Sequence, residues 1–167
     1  MSEEHIHSLL KQSDDHFLKR DLNIALSSAE KALELSTDKT YLSGIIQSNL
    51  LLGKIYTASG RFNAEKNHFP TALQFIEKAD SNNQAAHQNG KSIEIYLAYG
   101  DVYQNQKDFD KAVNFYNQAL DYGRSKDEQN GIIKSLCALS HNFILQKKLD
   151  QSFDSINEAL ALINQDS

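Results

Sequence analysis

Proline occurs once, at Pro70, and glycine only seven times in 167 residues. With so few helix breakers the chain is free to run in long helices, and its β-branched and aromatic residues never gather into the alternating runs that make strands. Cysteine also occurs once, at Cys137, which excludes an internal disulfide and agrees with a reducing compartment. Apolar runs such as Leu50-Leu51-Leu52 fall far short of the roughly 20 residues needed to span a bilayer. Clustered cations are missing too: the net charge is −5 and the lysines are scattered among acids. A face that binds phosphates must displace counterions with clustered cations, so no nucleic acid partner and no membrane partner is expected. The start, Met1-Ser2-Glu3-Glu4, lacks the basic and apolar stretches of a secretory signal, and a cytoplasmic chain is the expectation.

Catalytic signatures are absent as well. There is no phosphate loop, no Gly-x-Ser-x-Gly turn and no kinase-like set. The six histidines, His5, His7, His16, His68, His87 and His141, form no His-x3-His pair on a helical face. Cys137 and His141, four residues apart, are the best local pair, and we read them as two side chains on the inner face of a helix rather than as a metal site or a nucleophile with its base. No catalytic, cofactor-binding or metal-binding residues are therefore expected, and the segment is not read as an enzyme.

What the sequence does contain is a repeat. Residues 96–120 place Tyr96, Tyr99, Gly100 and Tyr103 ahead of Phe109, Ala112, Tyr116, Ala119 and Leu120. The same order of large and small residues recurs upstream as Asn49, Leu52, Gly53 and Tyr56, then Gly60, Phe62, Phe69, Ala72 and Leu73, with Glu65 where a small residue is expected. Downstream it runs Leu136, Leu139, Ser140 and Phe143, then Leu149, Ser152, Ile156, Ala159 and Leu160. At the N-terminus Leu9, Ser13 and His16 match poorly, whereas Leu22, Ala25, Ala29, Ala32 and Leu33 match well. Asp108 precedes an apolar face of Phe109, Val113, Tyr116 and Leu120 spaced by three and four, the mark of a capped amphipathic helix.

This order of residues resembles the tetratricopeptide repeat, in which a small residue of the first helix of each pair is approached closely by the second. The alanines Ala32, Ala72, Ala119 and Ala159 recur at intervals of 40, 47 and 40 residues, longer than the ~34 usual in that family. Such long repeats resemble those of kinesin light chains, Pins-type adaptors and bacterial Rap-type regulators. The resemblance implies an all-α fold, a right-handed α-α superhelix of four helix-turn-helix repeats at about 3–37, 38–80, 81–126 and 127–165, forming a single domain over 1–167. Helices are expected at 3–18, 22–36, 39–58, 62–79, 82–106, 109–124, 128–146 and 149–164, lengthened around Asp80–Gly90 and bent by Pro70 near Asn67–Phe69. Tyr56, Tyr99, Tyr103, Phe109, Tyr116 and Phe143 are read as packing positions between helices rather than as a stacking platform.

In the resembling family partners lie in the concave groove lined by the first helix of each pair. The residues placed there are Gln47, Leu50, Leu51 and Lys54 in the second repeat, Glu94, Leu97, Asp101, Gln104 and Asn105 in the third, and Lys134, Cys137, His141 and Ile144 in the fourth. Chaperone-binding members grip a terminal carboxylate with lysine and asparagine. Those positions hold Leu50 with Lys54, Leu97 with Asp101 and Cys137 with His141, so no carboxylate clamp is expected. The implied function is a protein- or peptide-binding module, a scaffold or the sensory-regulatory part of a signalling protein, bacterial in the leading reading. Two alternatives stand beside it. The last helix carries Phe153, Ile156, Leu160 and Ile163 in register with no polar cap expected before Ser167, which suits a homodimer through that helix, or a regulatory domain whose catalytic part lies beyond residue 167.

Overall fold

The computed structural model describes residues 3–61, 68–75 and 89–165. Outside short turns all of these are helical: α1 (Glu3–Leu18), α2 (Leu22–Asp38), α3 (Leu42–Ala58), α4 (68–75), α5 (Asn89–Asn105), α6 (Phe109–Ser125), α7 (Gln129–Leu145) and α8 (Leu149–Gln165). The expected positions Phe62, Glu65, Asn67 and His87 lie outside the described residues, as does the lengthening around Asp80–Gly90 except for helical Asn89 and Gly90. Pro70 is exposed within α4, and the bend expected beside it reaches Asn67, outside the described residues. The chain divides into two compact units, Met1–Gln88 and Asn89–Ser167.

One turn design recurs at every described junction. Arg20, Thr40, Gly60, Lys107, Asp127 and Lys147 all adopt left-handed backbone, with φ between 51° and 72°. The amide of each bonds a carbonyl three residues back, and the next amide reaches five residues back, as in Asp108 N to Tyr103 O at 2.9 Å and Lys148 N to Phe143 O at 2.9 Å. These are the crossed bonds that satisfy the last carbonyls of a helix. At the junctions whose next helix is described from its start, the residue making the longer bond then opens that helix. Asp108 does so with its side chain as well, accepting from the Lys111 amide at 3.3 Å. Thr40 explains the displaced α2–α3 boundary: its left-handed conformation closes α2, which ends at Asp38 instead of 36, and delays α3 from the expected residue 39 to Leu42.

In the first unit Ile6 and Leu10 of α1, Ala25, Ala29 and Ala32 of α2, and Leu51, Leu52 and Ile55 of α3 share one core. Each fully buried Ile or Leu contributes roughly 1.5–3 kcal/mol. In the second unit Ala112, Tyr116 and Leu120 of α6 pack with Ile132, Leu136 and Leu139 of α7 and Ala159 of α8.

The small positions follow a size rule. At Gly53 and Gly100 a Cβ would overlap the rings of Phe69 and Tyr116. Where the facing residue is smaller, serine stands instead and bonds across the pair: Ser13 Oγ donates to Ala25 O at 2.8 Å, and Ser140 Oγ lies 2.8 Å from Ser152 Oγ. Both devices let two helix backbones approach closely without an unsatisfied polar group. Within the first unit α1 packs on α2 and α2 on α3; within the second, α5, α6, α7 and α8 pack in succession, and α5 also packs on α7 whereas α6 and α8 have no backbone approach within 8 Å. The first helices of the two pairs therefore converge and the second helices splay, the geometry of a helical-repeat solenoid with its inner face on α5 and α7.

Candidate functional site

The inner face of the second unit is set by spacing. Glu94, Leu97, Asp101 and Gln104 follow one another by three, four and three residues on α5, and Lys134, Cys137, His141 and Ile144 do the same on α7. Each set therefore occupies one helical stripe. On α7 all four side chains are exposed, Ile144 to 52%. On α5 Asp101 and Asn105 are exposed, while Glu94, Leu97 and Gln104 are half-buried.

The two stripes are tied together at one end. Asn142, fully buried, donates to Gln104 Oε1 at 3.1 Å and accepts from Gln146 Nε2 at 2.7 Å, and Gln104 Nε2 lies 3.4 Å from His141 Nδ1. Gln104, expected to meet a ligand, thus has its amide engaged inside the protein and holds α5 to α7. On the acidic side, Glu94 Oε2 pairs with Lys91 at 3.4 Å, and Asp101 Oδ1 accepts from the Tyr116 hydroxyl at 2.8 Å. Burial, and then the Asp101 carboxylate beside it, push the Tyr116 phenol well above its ordinary range, so it stays a hydrogen-bond donor at any physiological pH.

The aromatic positions behave as packing elements. Tyr116 is buried, and Tyr56, Tyr99, Tyr103, Phe109 and Phe143 are half-buried. Phe115, which the repeat frame does not single out, is stacked between Tyr99 and Tyr103, with centroid separations of 4.7 and 5.4 Å and interplanar angles of 13° and 4°. Lys111 Nζ sits 5.3 Å from the Tyr103 ring centroid and covers one end of the stack.

The first unit corrects part of the expected groove. Leu50 and Leu51 are buried, 3% and 8% exposed, instead of lining a binding surface. Three successive leucines cannot share one helical face. Helix α3 is accordingly enclosed on most sides, with Leu51 in the core beneath α1. Gln47 and Lys54 remain half-buried, the former donating to Ser43 Oγ at 3.2 Å. Among the described residues no three His, Cys, Asp or Glu side chains converge as a metal site would need. No described helix is long and apolar enough to cross a membrane.

Residues 91–165 match the tetratricopeptide repeat family. That match runs from the first turn of α5 to the end of α8, the same helices that carry the tied inner face. No curated protein matches the chain. Tetratricopeptide repeats generally mediate protein–protein interaction, and the fold is typically a non-catalytic scaffold. Similarity to that repeat family over this segment brings no particular partner with it, so the chemistry of the face must supply the rest.

Proposed function

We propose that the chain is a protein-binding module that holds an internal, extended segment of a partner against the α5–α7 face. The observation that carries this reading is the exposed row Lys134, Cys137, His141 and Ile144 on α7, held in register with Asp101 and Asn105 on α5 by the buried Asn142–Gln104 bridge. Asn105 and His141 suit the backbone amides of an extended peptide, and Ile144 with the half-buried Leu97 suits its apolar side chains. A free C-terminal carboxylate is disfavoured, because Lys134 is the one lysine or arginine of this row while Glu94 and Asp101 are acidic. On this reading the chain serves as a scaffold or a sensory-regulatory part of a signalling protein.

A peptide array probed with the full chain tests it. Peptides with blocked C-termini are expected to be captured as well as free ones, and Lys134→Glu with His141→Glu should weaken capture at least tenfold with an unchanged far-UV spectrum. Capture that survives both substitutions would place the ligand elsewhere.

A further inference from the structure

The repeat supplies its own measure of what belongs beside each second helix. Aligned through the buried alanines Ala119 and Ala159, the row Phe109, Val113, Tyr116, Leu120 and Gly123 of α6 corresponds to Leu149, Phe153, Ile156, Leu160 and Ile163 of α8. On α6 that row is covered. Tyr116 and Leu120 pack with Ile132 and Leu136 of α7, and Gly123 lies against Ile132. On α8 the same row stands exposed: Leu149 61%, Phe153 68%, Ile156 37%, Leu160 49% and Ile163 47%. Its spacing of four, three, four and three residues is that of a helix-packing seam along the whole of α8. A contiguous apolar surface of this kind marks a place where something docks.

Charge says what kind of helix docks there. Helix α8 contains Asp150, Asp154 and Glu158 at successive fours and no lysine or arginine. Glu158 pairs with Arg124 of α6, which leaves Asp150 and Asp154 exposed on the N-terminal half. A second copy of this chain, meeting α8 with α8 about a twofold axis, would bring two helices of the same acidic character together. A helix flanked by cations gains where the second copy loses.

We infer that α8 docks an amphipathic helix from a protein partner, running antiparallel to it as α7 does to α6, with apolar residues at spacings of three and four and lysine or arginine beside them. In that arrangement the partner's C-terminal end lies beside Asp150 and Asp154, where cations also complement its helix dipole. This surface is distinct from the α5–α7 row and does not depend on it.

The test uses the full chain and two synthetic 18-residue helical peptides with leucines at spacings of three and four, one with lysine flanks and one with glutamate flanks. Fluorescence anisotropy should show the lysine peptide binding at least tenfold more tightly than its glutamate twin. The double variant F153S/L160S, which leaves the net charge unchanged at exposed positions, should lose at least tenfold in affinity. D150K/D154K should lose the preference for the lysine peptide, while Lys134→Glu with His141→Glu should leave binding unchanged. Equal binding by F153S/L160S would reduce the effect to adsorption on an acidic protein and overturn the inference. So would failure of both peptides to bind, or a wild-type dimer in sedimentation that F153S/L160S converts to monomer, which would assign the face to a second copy.

Discussion

At the residue scale the tight approach of paired helices rests on what each glycine faces. A Cβ at Gly100 would overlap the ring of Tyr116, which is buried and bonded to Asp101, so the ring cannot yield. At Gly131 the nearest obstacle is the terminal methyl of Ile93, which rotates aside. Gly100→Ala should therefore cost about 1–3 kcal/mol as overpacking, whereas Gly131→Ala should be within about 1 kcal/mol of neutral, the clash offset by helix propensity; urea denaturation of the two variants separates these outcomes. Gly100 was legible in the sequence because the small residue recurs in the repeat frame. Its pairing with an aromatic, and the pairing of Ser13 and Ser140 with smaller neighbours, are three-dimensional facts that one-dimensional spacing does not carry. Buried Asn142 escaped the reading for a related reason. A polar residue next to an apolar stripe reads as exposed until a partner such as Gln104 is brought to it by another helix.

At the scale of the element, helix boundaries were readable because amphipathic periodicity repeats, yet the turns hid their mechanism. Five of the six left-handed turn residues are not glycine, so the usual mark of such a turn is absent. Left-handed backbone costs a non-glycine residue about 1–2 kcal/mol, against roughly 0.5–1 kcal/mol of extra chain entropy lost by glycine. Lys147→Gly should then stabilise the α7–α8 turn by up to about 1 kcal/mol, read as a thermal midpoint raised by ~2–4 °C per kcal/mol, and Gly60→Ala should lower it. A second element-scale prediction concerns α3 and α4. The His68 ring stacks on Tyr56 at 5.5 Å and its Nδ1 donates to Asn49 Oδ1 at 2.9 Å. Burial holds the imidazole below its ordinary 6.5, with Glu30 opposing weakly. A depressed histidine contributes stability that is present above 6.5 and lost as the pH falls through the folded value. Denaturation of the wild type should show stability falling as the pH drops below 6.5, and His68→Gln should flatten that part of the profile.

At the scale of each compact unit, stacking makes stability local, since a helix is held by the helices packed beside it and a residue's worth depends on whether a next helix covers it. Tyr116 and Ile156 occupy the same register position 40 residues apart, 1% and 37% exposed. The repeat frame alone ranks them as equivalents; it placed the helices, and the expected lack of a cap marked the α8 row as open, but it could not grade the burial of Leu50 or Leu51. Tyr116→Ala removes a ring from between two helices together with its bond to Asp101, and should cost about 3–5 kcal/mol. Ile156→Ala removes a side chain that still meets water, and should cost less than about 1.5 kcal/mol, since part of its transfer free energy has never been gained. Paired urea titrations measure both. Adding the lysine-flanked helical peptide sharpens the comparison: a ligand that binds only the folded state stabilises it by mass action. The cost of Ile156→Ala should then rise in the peptide's presence, while that of Tyr116→Ala, already covered by α7, should stay as it was. A peptide that leaves both costs unchanged would mean that α8 does not receive it.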